Sequence, residues 1–154
     1  YMAGERSPIW NPYAKGVFYG LDFTKTRAHF YRAAMEGVAY SLRHNLEIAA
    51  QAGAPVTQLH AMGGAANSRL WTQIKSDVTD LPIRSAKSDM ATTLGAAMLA
   101  GVATGVYKDY AQAVQQTVNM ERSYVPNEEN SSVYERGFCD YLKLYSQLET
   151  LMHG

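Results

Sequence analysis

Three short strand-like runs stand against four or five stretches of helical periodicity, and that imbalance limits the fold more than any other feature of the chain. Val17, Phe18, Tyr19, Gly20 and Leu21 form an aromatic, β-branched run bounded by Gly16 and Asp22, which predicts a strand. Residues 58–62 are a compact apolar run that enters Gly63 and Gly64, predicting a buried strand and a tight turn. Leu81, Pro82 and Ile83 open a third strand after Asp80. Strands alternating with helices imply an α/β layer with a mostly parallel sheet. Three short strands are a meagre sheet for so many helices, so the chain reads as an incomplete domain.

The helices are marked by their ends and by spacings of three and four. Thr24 or Thr26 caps a long helix to about Ala52, with Phe30, Ala34, Val38, Leu42, Leu46 and Ala49 on one face. Gly53 stops it, with Pro55 close behind. Asn67 or Ser68 caps a second helix whose buried face is Leu70, Trp71, Ile74 and Val78. Asp89 caps a third, residues 92–105, with Leu94, Ala97, Met98, Gly101 and Val102 inward. A short helix follows over residues 110–118, then a polar, irregular stretch over 119–130. Tyr134, Phe138, Tyr141, Tyr145, Leu148 and Met152 mark an amphipathic terminal helix that needs a partner surface.

Composition excludes several classes. At 154 residues and 47% hydrophobic, the chain has the size and profile of one domain with a real core. Its 14 basic and 14 acidic side chains cancel, leaving no whole-chain field to draw nucleic acid or an acidic membrane. The least polar stretch, residues 94–106, is too short to span a bilayer. No secretory signal opens the chain, so a cytoplasmic protein is expected. The lone Cys139 rules out an intrachain disulfide and predicts a small buried or half-buried thiol. His29, His44, His60 and His153 lack metal-ligand spacing, so no metal site is expected on the chain. His60, in the strand before the glycines, reads as a satisfied core histidine. Ser7, Ser41 and Ser68 have no His and Asp constellation around them for nucleophilic catalysis.

The segment from Met62 through Gly63, Gly64, Ala65, Ala66, Asn67 and Ser68 to Trp71 carries the sharpest chemistry. A strand ends in two glycines, then small residues, then a capped helix. Glycines let a backbone approach a phosphate or ribose closely, and the first helical N–H groups carry the positive end of the macrodipole. The amide of Asn67 and the hydroxyl of Ser68 offer hydrogen bonds to an adenine edge. Neither the dinucleotide fingerprint nor the phosphate-binding loop ending in Gly-Lys-Ser/Thr is present.

Ordered blocks place this corner in context: Gly4-Glu5-Arg6-Ser7-Pro8, Gly16-Val17-Phe18-Tyr19-Gly20-Leu21 and Arg32-Ala33-Ala34-Met35-Glu36-Gly37-Val38-Ala39-Tyr40. Gly63-Gly64 with Asp77, and Thr93-Leu94-Gly95-Ala96-Ala97, follow in the same sequence. Together these blocks resemble the FGGY carbohydrate kinases, most nearly the xylulose kinase branch, over essentially the whole chain.

The resemblance implies an incomplete actin-like ATPase (ribonuclease H-like) domain, with residues 1–154 the C-terminal, nucleotide-binding portion of a longer sugar kinase. It further implies ATP with Mg, a sugar substrate, and an N-terminal lobe that holds the metal, the sugar and the catalytic base, leaving no catalytic residue here. Carried over, Gly63, Gly64 and Ala65 face the nucleotide, while Asn67 and Ser68 contact adenine. Asp77 matches a family carboxylate and is read as a structural hydrogen-bond acceptor. The isolated chain is expected to be inactive and to form homodimers if at all through apolar surface. The rival reading is a stand-alone interaction module whose Gly-Gly turn is purely structural.

Overall fold

A computed structural model describes residues 1–86 and 91–153. The elements, in chain order, are α1 (Arg27–Gln51), β1 (Leu59–Ala61), a single 3-10 turn (Gly64–Asn67), α2 (Arg69–Thr79), β2 (Ile83–Ala86), α3 (Ala91–Ala103), α4 (Tyr110–Thr117), β3 (Met120–Tyr124) and α5 (Glu128–Met152). Helix ends follow local chemistry. The Thr26 amide donates to His29 Nδ1 at 3.1 Å at the start of α1, and Gly53 leaves it with a φ of +85°. Ser68 caps α2, its Oγ accepting from the Trp71 amide at 3.3 Å. The expected cap Asp89 lies outside the described residues.

The sheet runs β1-β2-β3. Leu59 pairs with Ile83 in the parallel β1–β2 ladder, and Ile83 pairs with Tyr124 in the antiparallel β2–β3 ladder. The sheet is therefore mixed, not mostly parallel. Two strand expectations fail for one reason, that pairing is non-local. Residues 17–21 form no strand, because among the described residues nothing pairs with them. Conversely, part of the stretch expected to be irregular becomes β3. Its burial alternates, with Glu121 and Ser123 outward and Tyr124 buried, the pattern of a one-faced edge strand.

The core sits where α1, α2 and α5 meet: Ala39, Ile74, Val78 and Tyr134, with Met35 and Tyr40 packed around them. Tyr134, Phe138 and Met152 of the aromatic stripe are buried as expected. On α1 the chain buries a neighbouring phase instead. Ala39 is fully covered, while Phe30, Ala34 and Val38 are exposed toward a cleft. Leu70 is also exposed, one residue before Trp71, whose indole Nε1 donates to Met35 O of α1 at 3.2 Å. Ala97 faces solvent, whereas Gly101 is buried. Cys139 is exposed rather than buried, one helical step of about 100° past the inward Phe138.

Candidate nucleotide-binding corner

β1 delivers the chain to Gly63, whose φ of +79° and ψ of −177° define a conformation essentially reserved for glycine. A 3-10 turn then separates the glycines from α2, so the helix begins at Arg69 and not directly after them. Within that turn the Ala66 amide donates to Gly63 O at 3.0 Å and the Ser68 amide to Ala65 O at 3.4 Å. Some of the amides expected to face a ligand are thus already used. The Gly64 and Ala65 amides make no hydrogen bond among the described residues. Ala66 is buried and anchors the turn, which leaves Gly64, Ala65, Asn67 and Ser68 at the surface and Gly63 half-buried.

The corner is open. A Cβ built on Gly63 or Gly64 would meet no atom within 4 Å, and the same holds for Gly95 on α3. Its footing is rigid. Ile74 and Val78 are buried beneath α2, the Trp71 indole is tied to α1, and Lys75 Nζ stands 4.2 Å from the Trp71 ring centre. Burial lowers the Lys75 pKa from its usual 10.5.

Asp77 is a structural acceptor, as the sequence suggested. Its Oδ1 accepts from Gln73 Nε2 at 2.7 Å and from the Asn127 amide at 3.0 Å, and its Oδ2 from Asn130 Nδ2 at 3.0 Å. Gln73 Nε2 also donates to Val125 O at 2.7 Å. This junction, which sequence reasoning found only as a lone carboxylate, fastens α2 to the start of α5. The i, i+4 spacing of Gln73 and Asp77 was its legible signal.

His60 is exposed and not the satisfied core histidine expected: it is the outward residue of the in-out-in pattern of β1, and its Nε2 lies 3.4 Å from Gln58 Oε1. His44 instead is enclosed beside Phe138 and Tyr141, with an unpartnered Nδ1, and desolvation lowers its pKa despite Glu47 and Glu5. Among the described residues no three His, Cys, Asp or Glu side chains converge as metal ligands. No described helix is long and apolar enough to cross a membrane. The corner can therefore grip a ligand through backbone amides and small polar groups.

A second feature is a cleft of about 790 Å³ between residues 15–21, the first half of α1 and the end of α5. Phe18 and Phe30 meet across it with ring centres 5.2 Å apart.

Residues 1–104 match the FGGY family of carbohydrate kinases, C-terminal domain. The chain belongs to the FGGY family. A xylulose kinase of Staphylococcus epidermidis is 33% identical over 151 residues, which are 98% of this chain and 30% of that protein. A gluconokinase of Bacillus subtilis is 34% identical over 150 residues, 97% of this chain and 29% of that protein. Among solved structures, the xylulose kinase from Rhodospirillum rubrum superimposes with a TM-score of 0.81 at 29% identity, covering 93% of this chain and 29% of its own. These FGGY structures identify the small sheet and its helices as part of an actin-like ATPase fold. The chain spans about 30% of the length of the curated FGGY relatives it matches.

Proposed function

We propose that this chain is the C-terminal, nucleotide-holding part of a cytoplasmic sugar kinase that transfers the γ-phosphate of ATP to a hydroxyl of a ketopentose, xylulose foremost. The observation that supports this reading most is the open glycine corner on a rigid helix. With no Cβ over Gly63 and Gly64 and clear space beyond them, the backbone accommodates the adenosine and α-phosphate side of ATP at van der Waals distance. The unengaged Gly64 and Ala65 amides are available as donors to it. Ser68 Oγ already accepts from Trp71, but its O–H remains as a donor to the adenine edge, beside the exposed Asn67 amide.

ATP supplies the phosphoryl group. This chain's share is to bind and orient its nucleoside end, because in-line transfer also requires metal, sugar and base in register. The described residues offer no acidic cluster for Mg, so its ligands are assigned to the phosphates and to an N-terminal lobe, together with the sugar contacts and the base. The chain alone is accordingly inactive. Xylulose kinases recur among the relatives, although a gluconokinase and a glycerol kinase of Haemophilus influenzae are as similar, at 34% and 35% identity.

In the full-length kinase, Gly64→Val is expected to raise the KM for ATP at least tenfold while leaving the KM for sugar within twofold. A Cβ at this position meets no described atom within 4 Å, so the fold is expected to be retained, which a thermal melt of the variant checks. An unchanged ATP requirement overturns the assignment. Initial rates with xylulose, gluconate and glycerol then decide the substrate.

A further inference from the structure

At the glycine corner Ser68 is held from three sides. Its amide donates to Ala65 O at 3.4 Å, and its carbonyl accepts from the Thr72 amide and from Thr72 Oγ1, each at 3.0 Å. Its Oγ accepts from the Trp71 amide at 3.3 Å. Thr72 is fully buried, so the backbone of Ser68 is anchored in the core although Ser68 itself is exposed. A hydroxyl has one proton and two lone pairs. With the Trp71 amide on one lone pair, the proton turns away from that amide and from the start of α2.

Capping alone needs nothing of the Trp71 side chain, yet that side chain is engaged at its edge and over its face. The indole Nε1 donates to Met35 O of α1 at 3.2 Å, and Lys75 Nζ, one turn further along α2, stands 4.2 Å from the ring centre. Met35 packs on the buried cluster of Ala39, Ile74, Val78 and Tyr134. A carbonyl in mid-helix already accepts from the amide four residues on, so the indole bond is not what satisfies Met35. What it adds is a fixed distance between α1 and the first turn of α2. Trp71 thus connects the core of the chain with Ser68, the one hydroxyl between Gly63 and the start of α2.

We propose that Trp71 is a positioning residue for ATP: tied to α1 by its indole, it holds Ser68 Oγ through its own amide and so aims the Ser68 O–H at the adenine edge. Hydrogen bonds weaken steeply as their angle departs from linear. A small rotation of the first turn of α2 therefore costs the bond to the base without unfolding the corner. The inference rests on the reading that the glycine corner holds ATP, and deepens it by naming what aligns one of its contacts.

Steady-state kinetics of the full-length kinase tests it, with a thermal melt of each variant. Trp71→Phe keeps a flat ring beside Lys75 and removes the indole N–H. It is expected to raise the KM for ATP about fivefold, the worth of one neutral hydrogen bond, with kcat and the KM for sugar within about twofold of the parent. Ser68→Ala, a change at an exposed position, is expected to raise the KM for ATP by at least as much. The double variant should match Ser68→Ala alone, because Trp71 acts through Ser68. Ile74→Val, beneath the same helix, is expected to lower the melting temperature and leave the KM for ATP at the parent value. An unchanged KM for ATP in either Trp71→Phe or Ser68→Ala overturns the proposal. So does a double variant in which the two effects multiply, or a rise in Ile74→Val equal to that in Trp71→Phe, which would make the effect one of stability. A raised KM for ATP in Gly64→Val beside an unchanged one in Trp71→Phe sinks the role of Trp71 and leaves the nucleotide corner standing. An unchanged KM in Gly64→Val takes both down.

Discussion

Helices α2 and α3 are of similar length, 11 and 13 residues, but they stand in opposite relations to the rest of the chain. α2 is two-sided. It buries Thr72, Ile74, Ser76, Asp77 and Val78 against α1, α5 and β3 while showing Arg69 and Leu70 to solvent. Its buried polar groups are all engaged: Thr72 Oγ1 donates to Ser68 O, Ser76 Oγ to Leu81 O, and Asp77 accepts three bonds. α3 carries no charged residue at all, yet among the described residues it buries only Gly101 and its one substantial packing partner among the helices and strands is α4. A helix that is apolar all round is built for enclosure, and this chain does not itself enclose it. An amphipathic helix finds its partners nearby, whereas a uniformly apolar one reports surface that something else must cover.

That contrast can be broken by measurement. Ile74→Ala, beneath α2, is expected to cost about 2–5 kcal/mol through lost burial and a residual cavity, read as a lower urea midpoint. Asp77→Ala is expected to cost about 2–3 kcal/mol, since it leaves the Asn127 amide and two carboxamides without their acceptor. Asp77→Asn should recover part of the loss, because one oxygen still accepts. Gly63→Ala forces a non-glycine residue into a glycine conformation and is expected to cost about 1–3 kcal/mol. Gly64→Ala, with open space and no positive φ, should match the parent.

His44 gives a smaller, pH-dependent effect. Its folded pKa lies below the usual 6.5 because burial disfavours the charged ring. The stability it contributes is therefore present above pH 6.5 and is lost as the pH falls through the lowered folded value. Thermal melts of His44→Gln against the parent should show a flatter decline on acidification. The smallest effect is assigned to Leu99→Ala on α3: Leu99 is 59% exposed, so the change should stay within about 0.5 kcal/mol in this chain. A loss comparable to that of Ile74→Ala would erase the distinction between the two helices.

What was legible in the sequence follows the same division. Thr26, Ser68 and Gly53 mark real helix ends, because a cap bonds within a few residues of itself. Gly63 is legible for the same reason: its φ and ψ are a property of one residue. The face of α1 was misplaced by about one position, since residues 30, 34 and 38 form as good a stripe as the phase through Ala39. Nothing local reveals which stripe meets α2 and α5 and which lines a cleft. The Asp77 junction was half visible, as a carboxylate without its partners at Asn127 and Asn130, some 50 positions along the chain.

By itself, then, the sequence determined the five helices and their approximate ends, the glycine turn after β1 and the family blocks, all of which depend on residues within a few positions of one another. Only the tertiary structure decided that residues 17–21 stay unpaired, that 120–124 join the sheet, and which helix faces are covered. The physical reason is that helix caps and turns satisfy backbone groups locally, while a strand or an apolar face is stable only when a distant segment arrives to meet it.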